Sequence, residues 1–359
     1  MRISALVAVA VVAIVAGLLV VAESTSGSRG APAEQRGLVL PTWEQHGYAS
    51  TDTPGAMHAI ASVGADWVQL TPTWYQPTNS AIDIGPTEES VADDDLRQAI
   101  AAAHAAGLKV QLKPHVDVVG SDDRALIDPA DRNAWFGSYQ AFITHYADLA
   151  GQLAADQLVV GTELGALSGD RGRWLTVIDE VRKHYHGPLV YAANHSEYPT
   201  VAFWDAVDLI GIDGYWSLSP QPTTDVSQLA GALAPIRDDL VALSARVGRR
   251  VLFTEVGYPS QVGGVTSPWD DHQSGQPAPD EQAAAYQAVL QTFSGQPWWA
   301  GVFWWDWDVA HLHDVDTAPA LDYSIRGKPA ESVLRRWWRA AQSSRSSAQA
   351  TSPIRRWSA

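Results

Sequence analysis

The sequence predicts a single closed (β/α)8 barrel, a ring of eight parallel strands with a helix after each. Three observations carry that expectation. Short apolar, β-branched runs alternate with helix-period segments between residues 37 and 342, such units number eight, and charged or aromatic residues recur where each run stops. Alternating strands and helices argue for a parallel sheet, because a parallel neighbour is reached only through a crossover. Eight units in ~300 residues close a ring rather than an open, doubly wound sheet. Dinucleotide fingerprints, phosphate loops and internal repeats are absent from the sequence, so one large domain is expected.

The expected strands are Leu38–Trp43, Trp67–Tyr75, Lys109–Asp117, Gln157–Leu164, Pro188–Asn194, Asp208–Trp216, Arg250–Tyr258 and Ala300–Trp307. Helical periodicity falls on Thr53–Val63, Val91–Ala106, Arg132–Ala155, Arg173–His186, Val201–Ala206, Val226–Val247, Asp280–Phe293 and Pro329–Ala341. Gly107 and Gly248 follow two of these helices, where a left-handed cap is needed.

Before the barrel, residues 3–22 are uncharged and apolar, preceded only by Met1 and Arg2. That run is long enough to span a bilayer, while Val20-Val21-Ala22 resembles a signal cleavage site. Residues 1–22 therefore read as signal peptide or signal anchor, and either one exports the chain. Residues 23–36 read as a Ser/Gly/Pro linker, 37–342 as the barrel and 343–359 as a disordered, Ser-rich tail. The membrane is expected as a partner only through the N-terminal segment.

Composition narrows the function. The 359 residues are 46% apolar and 18% charged, ample material for a core. Charge is 24 − 40 = −16, which repels phosphate backbones and argues against nucleic acid as a partner. With 0 Cys there is no disulfide scaffold, thiol nucleophile or iron–sulfur site. A count of 16 Trp against 6 Phe suggests ring surfaces for stacking as well as for core.

In this fold chemistry sits where strands run into the following loops. Glu163 and Glu255 end apolar runs of the fourth and seventh strands, where an unpaired charge is costly. These strands lie across the mouth from each other, so the two carboxyls can face one another. Facing carboxyls in an aromatic cleft are the apparatus of glycoside hydrolysis: one protonates the leaving oxygen, the other attacks or activates water. Trp43, Trp74, Tyr75, Trp216, Trp304, Trp305 and Trp307 also stand at strand ends and can stack on pyranose faces, with core packing as the alternative. Trp304 and Trp305 alternate, so only one of them lines the inside. Trp135, Trp337 and Trp338 are assigned to packing.

Tyr215 shares a face with Asp213 beside the seventh strand, placed to hydrogen-bond the attacking carboxylate or to fill core. Lys113 and His115 share a face too; they can bind sugar hydroxyls, or Lys113 can neutralise a buried acid. Asn194, ending the fifth strand, is taken as a substrate contact. His311-Leu312-His313-Asp314 looks like an H-x-H metal site but falls in the loop after the eighth strand, and reads as loop. Asp270, Asp271 and His272 read the same way. No metal and no cofactor are expected.

At these residues the chain resembles glycoside hydrolase family 113. The likeness rests on Thr73–Gln76 (TWYQ), Gly107–Asp117 (GLKVQLKPHVD), Tyr139–Ala147 (YQAFITHYA) and Val160–Leu164 (VGTEL). It continues through Leu189–Asn194, Ile210–Tyr215, Phe253–Tyr258 (FTEVGY) and Gly327–Ala330 (GKPA), and covers about residues 37–342. The family belongs to a clan of retaining (β/α)8 glycosidases, with endo-β-1,4-mannanase as its founding activity. The resemblance implies Glu163 as acid/base, Glu255 as nucleophile, Tyr215 as the nucleophile's hydrogen-bond partner and a Trp of the eighth strand under the sugar. Thr162 departs from the wider clan, where many members carry Asn before the acid/base; a shorter hydroxyl there changes how the sugar 2-hydroxyl is held.

The expectation is thus a monomeric, exported, retaining β-glycosidase acting on β-1,4-mannan-type polysaccharide. Its two carboxyls are expected ~5–5.5 Å apart. The alternatives are another β-linked glycan as substrate, or a catalytically silent barrel that binds glycan through its Trp residues.

Overall fold

The computed structural model describes residues 33–120, 123–270, 274–307 and 321–350. The strands are β1 (Gln35–Leu40), β2 (Trp67–Leu70), β3 (Thr73–Gln76), β4 (Lys109–Leu112) and β5 (His115–Val118). They continue with β6 (Gln157–Thr162), β7 (Leu189–Asn194), β8 (Leu209–Asp213), β9 (Arg250–Val256) and β10 (Trp299–Trp304). The helices are α1 (Thr53–Val63), α2 (Asp93–Ala105), α3 (Arg132–Gln152), α4 (Arg171–His184), α5 (Val226–Val247), α6 (Pro279–Phe293) and α7 (Pro329–Ala350). Eight strands close a parallel barrel in the order β1-β10-β9-β8-β7-β6-β4-β2, as the alternation of elements predicts.

Local chemistry explains where the helices begin and end. Asp131, Asp170 and Asp225 cap α3, α4 and α5 with side-chain oxygens that accept from Ala134, Arg173 and Ser227 N–H groups. Gly107 and Gly248 follow α2 and α5 with φ of 80° and 71°, the left-handed turn expected of them. Between β7 and β8 the expected helix Val201–Ala206 is only a 3-10 turn, Trp204–Ala206. The first strand begins at Gln35, inside the stretch read as linker, and α7 continues through Ala350, beyond the expected end at Ala341.

Proline accounts for the main departure. The second and third expected strands each break in two, at Thr71-Pro72 and Lys113-Pro114. A prolyl nitrogen has no hydrogen to give the barrel ladder. Beyond the break the outer halves, β3 and β5, pair with each other in parallel, Thr73 opposite His115 and Gln76 opposite Val118. The two chains thus leave the ring together, and Trp74 goes with them.

Side chains divide between two cores. The larger one lies between strands and helices and includes Leu38, Val68, Leu112, Leu158, Phe253, Trp299 and Trp304. A smaller one plugs the barrel interior with Val39, Trp67, Val159, Val190, Leu252 and Phe303. Toward the mouth the interior turns polar. Gln69 Nε2 donates to Gln111 Oε1 and, over 2.9 Å, to Thr254 O, while Gln111 Nε2 donates to Gln157 Oε1 at 2.5 Å. These three amides share the buried barrel interior with the hydrocarbon plug.

The apolar run 3–22, the His311–Asp314 motif, and Asp271 with His272 lie outside the described residues. Among the described residues no helix is long and apolar enough to cross a membrane. Nor is any group of three or more His, Cys, Asp or Glu there placed to hold a metal ion.

Candidate active site

A bulge aims Glu255 into the mouth. Leu252 lies in the interior plug and Phe253 in the outer core, so strict alternation would turn Thr254 inward and Glu255 outward. The register slips on both sides of β9: Ile212 faces Phe253 but Asp213 faces Glu255, and Val302 faces Phe253 but Trp304 faces Val256. One extra residue in β9 lets consecutive side chains share a direction. Thr254 Oγ1 donates to Asp213 Oδ1 at 2.7 Å, and Glu255 receives Lys113 Nζ on Oε1 at 2.5 Å and Tyr215 OH on Oε2 at 2.8 Å.

Glu163 is delivered in the same way. Val159 faces Val190 but Thr162 faces Ala192, so β6 also carries one extra residue before its carboxylate. Gly161 makes room for the distortion, since a Cβ there would come within 2.7 Å of the Trp174 and Tyr191 rings. Glu163 itself has φ of 53°, a left-handed conformation that costs a non-glycine residue ~1–3 kcal/mol. Its N–H donates to Ala192 O at 2.8 Å, and the next N–H, Leu164, donates to the Tyr191 hydroxyl at 3.2 Å. Asn194 Nδ2 donates to Glu163 Oε1 at 2.8 Å and Arg124 Nη1 to Oε2 at 3.1 Å. Arg124 is itself held by Asp117, at 2.7 Å. Behind Asn194, buried Glu197 accepts its backbone N–H at 2.9 Å and the Tyr191 hydroxyl at 2.6 Å.

The mouth therefore holds the carboxyls of Glu163, Glu255, Asp213 and Asp117 against the cations Lys113 and Arg124. Four acids facing two permanent cations leave an excess of negative charge in a dry place. Burial raises Glu163, with Glu255 adding to the rise and Arg124 opposing it. Burial likewise pushes Asp213 well above the usual carboxyl range against the pull of Lys113. Burial alone would lower Lys113, but Asp213 and Glu255 more than reverse it, so the ammonium stays charged. Tyr215 is pushed well up by burial and by Glu255, which keeps its phenol a donor. His115, depressed by burial and by Arg124 and Lys113, is a neutral ring with Nε2 3.9 Å from Glu255 Oε1.

The structure brings Glu163, Glu255, Tyr215, Lys113, His115 and Asn194 together, and corrects several expected sugar contacts. Lys113 is fully buried and binds both Asp213 oxygens at 2.9 Å, so it neutralises acids instead of meeting sugar. Trp304 is buried and stacked on Tyr286 of α6, centroids 3.8 Å apart, leaving Trp305 as the member of the pair at the mouth. Trp74, carried off with β3, packs on Phe142 and Tyr146 of α3. Trp216 is buried edge-on against Phe253. Trp43, 44% exposed, meets Trp305 edge-on at 6.0 Å and forms an aromatic rim at the ends of β1 and β10.

Sequence reasoning passed over Arg124, Glu197 and Trp269, marked Asp117 only as a charged strand end, and gave Asp213 no role beyond a strand end and a face-mate of Tyr215. A signal existed for Arg124: it is the only Lys or Arg between Lys113 and Arg132, in a stretch with five Asp. Glu197, three residues past a strand end, carried none.

Comparison with known proteins identifies the family and the fold. The model of glycoside hydrolase family 113 matches residues 41–328. No curated protein matches the chain. A family 113 β-1,4-mannanase solved as a complex superposes with TM-score 0.78 at 26% identity, over 86% of this chain and 100% of its own. The β-mannanase AaManA of Alicyclobacillus acidocaldarius, in complex with ManMIm, gives 0.76 at 29% identity over 86% and 98%. A family 5 protein of Bifidobacterium longum bound to Manβ1-4GlcNAc gives 0.59 at 15% identity, over 87% of this chain and 79% of its own, and shares the fold. Matched over most of its length by one family model, and folded as a closed barrel, the chain belongs to glycoside hydrolase family 113.

Proposed function

We propose that the protein is a retaining endo-β-mannanase. The observation that carries the reading is the unequal setting of its two central glutamates. Glu255 has both oxygens engaged as acceptors, from Lys113 and Tyr215, the arrangement a nucleophilic carboxylate needs. Glu163 is raised by burial, so it can carry a proton to the leaving oxygen. In the first step Glu255 attacks the anomeric carbon as the glycosidic C–O bond breaks and Glu163 gives its proton to the departing oxygen. In the second, Glu163 takes a proton from water as the water oxygen displaces Glu255. Trp305 is proposed to lie beneath the sugar at the cleavage point, with Trp43 beside it. Mannan as substrate is supported by the mannanases to which the chain is similar. Export through residues 3–22 is proposed from their apolar run, since a polysaccharide is met outside the cell.

The test is product release from mannan, glucomannan, xylan and mixed-linkage glucan, with the anomer of the first product followed by proton NMR. Mannose-containing oligosaccharides appearing first as the β-anomer, and lost in Glu163→Gln and Glu255→Gln, are expected. An α-anomer would overturn Glu255 as nucleophile. Activity confined to another glycan would overturn mannan, and turnover surviving both substitutions would overturn the site.

A further inference from the structure

We propose that Trp269, backed by His195, is a stacking platform for a sugar on the leaving-group side of the cleft; this rests on the mannanase reading above. Trp269 is 58% exposed, more than any other described tryptophan. A large ring left in water is common on a loose loop, but the residues that lead up to this one are fastened. The Tyr323 hydroxyl donates to Pro268 O at 2.7 Å, immediately before the ring. Buried Glu281 accepts the N–H groups of Gly263 and Val265 at 3.1 and 3.0 Å, and Leu218 N–H donates to Val265 O at 2.8 Å. The indole thus follows an anchored segment, and the His195 ring lies near-parallel to it, 13° between planes and 6.1 Å between centroids. His195 is in turn braced by the edge of Trp216 at 6.4 Å. Burial lowers His195, so it is an uncharged flat backing rather than a cation.

Position gives the platform its ligand. His195 follows Asn194, the residue whose amide donates to Glu163 Oε1. A group that protonates the leaving oxygen stands beside the leaving sugar, so an aromatic face anchored one residue from its partner meets that sugar. The Trp43–Trp305 rim stands at the ends of β1 and β10, whereas His195 follows β7, and β8 and β9 with Glu255 separate them. Aromatic faces on both sides of the carboxylates suit a chain threaded through and cut internally. A β-mannopyranose ring offers such a platform the apolar face that carries H1, H3 and H5, opposite its axial 2-hydroxyl.

The test compares kcat/KM on β-mannohexaose with that on β-mannobiosyl fluoride, whose leaving group carries no ring. In Trp269→Ala the ratio of the two constants is expected to fall about tenfold, and Trp269→Phe should restore most of it. An unchanged ratio, or equal loss on both substrates, would overturn the platform while leaving the reaction standing. Inactivity of the unaltered protein on both would overturn the mannanase reading itself, and the platform with it.

Discussion

Replacing Lys113 with methionine keeps an unbranched apolar stem of similar reach and removes the terminal ammonium from the middle of the site. The ammonium lies 2.9 Å from each Asp213 oxygen and 2.5 Å from Glu255, and Lys113 is fully buried. At an effective dielectric of ~20, a single pair at 2.9 Å attracts by about 6 kcal/mol before the cost of removing both ions from water. Measured losses on breaking buried pairs are ~3–5 kcal/mol, because the partner is left dry and uncompensated. We expect a loss in that range at pH 7. Asp213, already raised well above the usual range by burial against the pull of Lys113, rises further in the variant. A carboxyl raised in the folded state supplies stability below its unfolded pKa and loses it as pH climbs through the folded one. The deficit of Lys113→Met should therefore narrow as pH falls from 7 toward 5. Asp213→Asn should recover much of the loss in the Lys113→Met background, although alone it destabilises by removing an acceptor from Lys113 and Thr254. Urea unfolding at both pH values checks this. A loss under ~1 kcal/mol, a deficit independent of pH, or additive single and double variants would refute the account.

Three further outcomes are expected. Arg124→Leu removes the cation that holds Glu163 down against burial, so the basic limb of the kcat/KM profile should move to higher pH; an unmoved or acid-shifted limb would contradict it. Glu197, pushed up to about 7 mainly by burial, should make stability fall by about 3 kcal/mol between pH ~4.5 and ~7, and Glu197→Gln should flatten that part of the curve. Trp304→Ala should cost ~3–5 kcal/mol in denaturant unfolding, whereas Trp305→Ala should lower turnover of mannan with a smaller stability loss.

Much of the fold was legible because it depends on order and length. Strand–helix alternation predicts the barrel, and Gly107 and Gly248 mark helix ends by a conformation that glycine adopts cheaply. Pro72 and Pro114 were equally visible, yet each was absorbed into a longer apolar run, and the exit of β3 and β5 was missed with them. The two glutamates were legible because a charge closing an apolar strand is costly unless something answers it. What answers it was less so. Arg124 reaches Glu163 across 39 residues and Lys113 reaches Asp213 across 100, distances at which only the closed ring makes neighbours. Aromatic residues were the least legible, since indole serves a core and a sugar equally well. Burial of Trp304 against Tyr286 and the departure of Trp74 with β3 are decided by packing, not by residue type.

Both glutamates break the rule from which their directions would be inferred, and the break has a physical use. Period-two alternation sends Glu255 into the helix layer, where Phe253 and Val256 already lie. A strand that obeyed it could offer only one inward side chain near its end. With the extra residue, β9 offers Thr254 to fasten Asp213 and Glu255 to receive Lys113 and Tyr215, a support and the group it supports in consecutive positions. In β6 the extra residue comes before Thr162, and the left-handed Glu163 then turns the chain toward Asn194 and Arg124. Irregular backbone on a parallel barrel forgoes ladder hydrogen bonds and strain-free angles, costs that an inert strand would have no reason to keep. Their appearance on two strands, each immediately before a carboxyl that faces the mouth, is therefore an argument for chemistry that does not depend on resemblance to any other protein.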